Sequence, residues 1–175
     1  ITWMQACQKL VEDNCPQEVP QVLTFGRFEA LGSTNVVSAT ATIKGTFRTM
    51  DETWRAQVKT ILHEQAAQIA AQLGAQINLT IGEGYPFLKN DLELTHQVKH
   101  ILEKELGASN VEELGLRMTA EDFAFYSQHR PVCFFRLGTG NAAKGLTHAV
   151  HHPQFDIDEA ALEIGVKSMF AIALS

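Results

Sequence analysis

The spacing of hydrophobic and polar positions changes several times along this chain, and the changes mark out its elements. The clearest run has period two. Val37, Ala39, Ala41, Ile43 and Phe47 share one parity, and Ser38, Thr40, Thr42, Lys44, Thr46 and Arg48 share the other. Successive side chains of a strand point to opposite faces, so this run predicts a β-strand with one packed and one wet face. Upstream, residues 22–29 are rich in β-branched and aromatic side chains and read as a strand, followed by a turn at Leu31, Gly32 and Ser33. A short helix is expected over residues 1–12, broken by Asn14, Cys15 and Pro16. Downstream the period lengthens. Trp54, Val58, Ile61, Leu62, Ile69 and Leu73 recur at helical spacing. They lie between a cap near Thr49 or Asp51 and a glycine stop at Gly74. Ile77, Leu79 and Ile81 alternate again and predict a third strand, ending at 82–84.

Residues 85–90 read as a linker containing Pro86. Leu94, Val98, Ile101, Leu102 and Leu106 predict a second amphipathic helix closed by Gly107. Thr119 and Asp122 form a loose capping box ahead of a short helix through Phe123 and Tyr126. Residues 132–137 are an apolar run broken only by Arg136, suited to a buried strand of an α/β sheet. A long loop follows from Gly138 to about Asp156. The last helix starts near Asp158 and is apolar through Leu162, Val166, Met169 and Phe170.

The first part therefore reads helix, strand, strand, helix, strand, which is a ferredoxin-like sandwich without its first strand. The second part has one strand among helices, a piece of a larger α/β domain. The expectation is an α/β chain in two parts, 1–88 and 89–175, that begins inside a domain.

Composition narrows the partners. With 45% hydrophobic and 19% charged residues, the 175-residue chain has ordinary globular values. Its net charge is -6, and it lacks a basic block interleaved with aromatics, which argues against nucleic acid. No apolar run is long enough to span a bilayer. The opening residues lack the features of a signal peptide. Three cysteines, Cys7, Cys15 and Cys133, make a poor disulfide framework, so a reducing, cytoplasmic setting is the default expectation.

The loop after the predicted buried strand lies where α/β proteins keep their sites. It holds Gly138, Thr139, Gly140 and Asn141, then His148, His151, His152 and Pro153. Neutral imidazole is the commonest protein ligand for zinc. Three histidines so close together also describe a solvated or hydrogen-bonded loop, because neighbours in a loop point different ways. Glu121 and Asp122 suit the positive end of a helix dipole. The guanidinium fork of Arg48 suits a carboxylate, yet by position it is an outward residue at a strand end, and Asn35 is a turn residue. His63, His96, His100 and His129 read as structural or solvated. There is no phosphate-binding glycine loop, serine elbow or paired-cysteine metal motif.

Five segments in order, GSTNVVSATATIKGTFRTMD, GYPFLKND, AEDFAFY, FFRLGTGN and HHPQFDIDEAALEIG, resemble the aminoacylase, hippurate hydrolase and carboxypeptidase-G-type metallopeptidase family. The branch resembled is that of bacterial N-acyl-amino-acid and plant auxin-conjugate amidohydrolases. The resemblance implies a ferredoxin-like lid, which usually forms the dimer contact, inserted into an α/β catalytic domain. That domain binds two divalent metals, zinc first, with manganese or cobalt as alternatives. It implies that the first lid strand, most metal ligands and the general-base glutamate lie outside this chain, so that the chain alone is inactive. By the same resemblance, His151 matches the last metal ligand, Asn35 and Arg48 match residues that grip the substrate carboxylate, and Gly138 matches a glycine whose backbone lines the pocket. Glu121 matches an acidic position beside the site. Asn35 and Arg48 have opposite strand parity and share a face only if Asn35 lies outside the regular strand. Ser38 stands where the family commonly has proline. The implied reaction is hydrolysis of N-acyl amino acids or small peptides by a lid-linked homodimer, without nucleic-acid or membrane partners. The alternative is a non-catalytic dimerisation or binding module made from the same lid.

Overall fold

A computed structural model describes residues 1–175. It is mixed α/β and divides into two compact units, one formed by Ile1–Leu88 with Leu116–Phe125, the other by Lys89–Gly115 with Tyr126–Ser175.

In the first unit, helix α1 (Thr2–Asp13) precedes strands β1 (Gln21–Glu29) and β2 (Thr42–Thr49), and helix α2 (Glu52–Leu73) follows. The strands pair antiparallel, with a register shift between Phe25 and Arg27. Helix α2 starts where the Asp51 carboxylate accepts the Trp54 N–H at 2.6 Å, and it ends at Gly74 in the left-handed conformation. It buries Trp54, Val58, Leu62, Ala66 and Ile69. Trp54, Val58 and Leu62 form the core with Cys7 and Val11 of α1, and Leu23, Phe25 and Phe47 of the strands pack against it. Gln21 joins three elements: its amide accepts the Trp54 indole N–H at 2.7 Å and donates to the Val11 carbonyl at 3.1 Å. Burial pushes the Cys7 thiol up to about 11, so it is an inert packing group. All three cysteines are free.

Two expectations fail here for one reason. The alternating run from Val37 becomes a strand only at Thr42, and residues 77–81 form no strand. Leu79 and Ile81 do pack on the core, but no neighbouring backbone pairs with 77–81. Alternation specifies a face, whereas a strand also needs a partner.

In the second unit, helix α3 (Leu92–Leu106) is capped by Asp91, whose carboxylate accepts the Leu94 N–H at 2.9 Å. Helix α5 (Ala160–Ala173) packs against it. Between them in sequence lies the one-turn helix α4 (Ala124–Ser127), which starts beyond the expected Thr119 cap. Residues 132–137 form no strand either. They are held by a side chain acting as a strand: the Asn90 amide donates to the Phe134 carbonyl at 2.9 Å and accepts its N–H at 2.8 Å. Beside it, the Asp91 N–H donates to the Val132 carbonyl at 2.8 Å.

Helix α5 buries its small residues Ala161 and Ser168, and a side chain on Gly165 would crowd Leu137. Its large residues Leu162, Val166, Met169 and Phe170 are exposed. No helix is long and apolar enough to cross a membrane.

Candidate functional site

The candidate residues fall in both units. In the first, Asn35 sits in a tight turn closed by reciprocal backbone hydrogen bonds between Ser33 and Val36, each 3.2 Å. The Ser33 hydroxyl donates to Asn35 Oδ1 at 3.1 Å. Asn35 therefore lies outside β2, and its strand parity does not bar it from the face of Arg48. No hydrogen bond joins the two. The Arg48 guanidinium instead donates to the Met118 carbonyl at 2.6 Å. That bond ties β2 to the segment 116–125, which carries Glu121. Glu121 Oε1 accepts the Phe123 N–H at 3.3 Å and its carbonyl accepts the Ala124 N–H at 3.2 Å, so the residue serves the approach to α4. The sequence linked Arg48 to a ligand carboxylate and gave no sign of a carbonyl 70 residues away.

In the second unit, Gly138 is exposed and opens the loop. Asn141 and Leu146 close a small ring by paired backbone bonds of 2.9 Å around a 3-10 turn at Ala142–Lys144. Asp158 fastens this ring to the start of α5. Its carboxylate accepts the Lys144 ammonium at 2.6 Å, the Asn141 amide at 2.6 Å and the Ala160 N–H at 3.2 Å, and its own N–H donates to the Thr139 carbonyl at 2.8 Å. The Lys144 ammonium, then the Asn141 amide and the Ala160 N–H, lower the Asp158 carboxyl to about 2. Sequence reasoning missed this fastening, because Asn141 and Asp158 stand 17 positions apart and only a fold joins them.

The three loop histidines differ. His148 and His152 stack face to face, with centroids 4.1 Å apart and planes at 3°. His152 Nδ1 accepts the Gln154 N–H at 3.1 Å. His151 is exposed and its imidazole has no partner. Its backbone is left-handed, at φ 74°, a conformation adopted by one other non-glycine residue, Glu18. Non-glycine residues held in that region store strain, and such strain clusters at functional sites. As a lone, uncommitted imidazole His151 fits one position of a metal centre. No three His, Cys, Asp or Glu side chains of this chain converge to complete one.

The profile of peptidase family M20/M25/M40 matches residues 2–175. The chain is 33% identical over 157 residues to N-acetyl-L-cysteine deacetylase of Bacillus subtilis, covering 90% of this chain and 36% of that protein. It is 30% identical over 157 residues to the IAA-amino acid hydrolase ILR1-like 6 of Arabidopsis thaliana, covering 87% of this chain and 34% of that one. A crystal structure from methicillin-resistant Staphylococcus aureus, provisionally described as an aminohydrolase, superposes with a TM-score of 0.79 at 26% identity, covering 99% of this chain and 44% of that one. The chain thus spans well under half the length of these relatives.

Proposed function

The chain belongs to peptidase family M20/M25/M40, and we propose that the whole protein is a metal-dependent amidohydrolase that cleaves the amide bond of N-acyl amino acids or small peptides. In this reading residues 1–88 are a lid and homodimer contact lacking its first strand. Residues 89–175 are the C-terminal segment of the catalytic domain, and the chain alone is inactive. The observation that carries the reading is the state of His151. Of the three loop histidines it alone is uncommitted, and it is presented on a left-handed backbone between the two members of a stacked histidine pair in sequence. The lid assignment is supported by residues 77–81, whose side chains reach the core while their backbone stays unpaired.

Two divalent metals, with zinc the first choice, would supply Lewis-acid activation of water. His151 would hold one of them. The general base and the other ligands would come from outside these 175 residues. Asn35 and Arg48 would bind the substrate carboxylate. A carboxylate can accept both arms of the guanidinium and so replace the single Met118 carbonyl with a stronger, bidentate partner. Gly138, exposed and without a side chain, would line the pocket with its backbone. Glu121 would stand beside the site.

The test is amine release from a panel of N-acetyl amino acids by the full-length protein, with zinc, manganese or cobalt added. Hydrolysis that a chelator stops and metal restores is expected. Absence of amide cleavage with all three metals would overturn the proposal.

A further inference from the structure

Residues 148–157, which carry all three loop histidines, make their hydrogen bonds only among themselves. The His152 N–H donates to the Ala149 carbonyl at 3.1 Å and the Phe155 N–H to the His152 carbonyl at 2.9 Å. The Gln154 N–H donates to His152 Nδ1 at 3.1 Å and the Ile157 N–H to Asp156 Oδ1 at 2.8 Å. None of these residues takes part in an ion pair. Val150 and Phe155, the large apolar side chains of the stretch, are exposed. A compact loop whose bonds are all internal takes its orientation from its neck.

Both ends of that loop meet at Asp158. On the incoming side, its carboxylate accepts the Asn141 amide and the Lys144 ammonium, each at 2.6 Å, and its N–H donates to the Thr139 carbonyl at 2.8 Å. On the outgoing side, the carboxylate accepts the Ala160 N–H at 3.2 Å, at the start of α5. A helix cap accounts for that last and longest bond alone. The other three tie the two ends of the loop together. The Asp158 side chain is 13% exposed, so it is committed to these partners rather than to water.

We propose that Asp158 is a positioning residue, which fixes the neck of the loop and so the place from which His151 reaches a metal ion. The proposal rests on the ligand reading of His151 given above. With no bond of its own loop anchored elsewhere, the His151 imidazole depends on this clamp for its direction. Gly138 adjoins Thr139, so the same clamp holds the backbone proposed to line the pocket. Displacing a reacting group by about 1 Å can cost about 100-fold in rate, which makes the neck a functional part and not only a stabilising one.

The test uses the full-length protein and three variants. Asp158→Ser keeps a capping hydroxyl for Ala160 and loses the reach to Asn141 and Lys144. Lys144→Met opens the clamp while leaving Asp158 and the cap in place. Val98→Ala, which truncates a buried side chain of α3, controls for a general loss of stability. Zinc affinity is measured by competition with a chromophoric chelator, and ligand geometry by the d–d absorption of the cobalt-loaded protein. Asp158→Ser and Lys144→Met are each expected to bind zinc about tenfold more weakly, the lower end of what residues supporting a ligand contribute, and to shift the cobalt bands. Val98→Ala should match the wild type in both readings. Wild-type affinity and bands in Lys144→Met would reduce Asp158 to a helix cap and overturn the proposal, as would an equal loss in Val98→Ala. If the wild type binds neither metal, the ligand reading of His151 fails, and the clamp is decided in the metal-free protein by hydrogen exchange at the Leu146 and Asp158 amides. Faster exchange of both in Lys144→Met upholds the clamp, and unchanged exchange overturns it.

Discussion

Replacing His151 with glycine and with alanine separates two properties that the residue combines. Its φ of 74° puts an L-residue in the left-handed region, at a cost of about 1–2 kcal/mol, somewhat less for histidine, which tolerates the region better than most. Glycine removes that cost but adds about 0.5–1 kcal/mol of chain entropy to be lost on folding. Alanine keeps the cost without histidine's tolerance. The expected order of stability is glycine above histidine above alanine, with the two variants separated by about 0.5–1 kcal/mol. Turnover should not follow that order. Both variants lose the proposed metal ligand, and both should fall by more than about 100-fold, since even residues that merely support ligands are worth 10–100-fold. Stability is read by urea unfolding of the metal-free full-length protein, and turnover by steady-state hydrolysis with metal restored. Equal stability of the two variants would refute the strain argument. A His151→Ala enzyme retaining a tenth of wild-type turnover would refute the ligand assignment.

Three other perturbations probe the rest of the structure. Because the folded Asp158 carboxyl lies at about 2, below its ordinary 3.8, its charge contributes stability that is fully present above pH about 4 and lost as pH falls through about 2. Asp158→Asn should therefore be less stable than wild type at neutral pH, and acid titrations of the two should converge near pH 2; parallel curves would contradict the linkage. The Thr49 hydroxyl is buried with no hydrogen-bond partner, so Thr49→Val should gain about 1 kcal/mol in denaturant unfolding, and a loss would mean that the hydroxyl has a partner in the whole protein. The register sets Lys44 directly opposite Arg27, so Lys44→Glu converts a like-charge pair into an opposite-charge pair and should stabilise the sheet by about 0.2–1 kcal/mol; destabilisation, measured in low salt, would contradict this reading of the pair.

What the sequence made legible is what depends on local chemistry. Asp51 and Gly74 frame α2 because a capping carboxylate and a left-handed glycine act within one turn of their own helix. Trp54, Val58 and Leu62 are buried as their spacing indicates. Long-range pairing was much less readable. Residues 77–81 and 132–137 have the composition of strands, but neither has a strand beside it. In α5 the apolar stripe was visible, yet the helix buries Ala161 and Ser168 and leaves Leu162, Val166, Met169 and Phe170 exposed; periodicity identifies a face without saying what covers it. The histidines of the loop looked alike in sequence. Stacking and one left-handed residue set His151 apart, and both are products of the folded chain.

The side chain of Asn90 gives the second unit a chemical clock. Deamidation would exchange its donor nitrogen for an oxygen, turning the amide that pairs with Phe134 into a carboxylate facing a carbonyl. The reaction begins when the next backbone nitrogen attacks the side-chain carbonyl carbon. Here that nitrogen, in Asp91, is already committed to the Val132 carbonyl, and the Asn90 oxygen is held by the Phe134 N–H. Folding therefore shields the one-atom lesion that would undo this contact, and damage at Asn90 accumulates in proportion to the time the chain spends open.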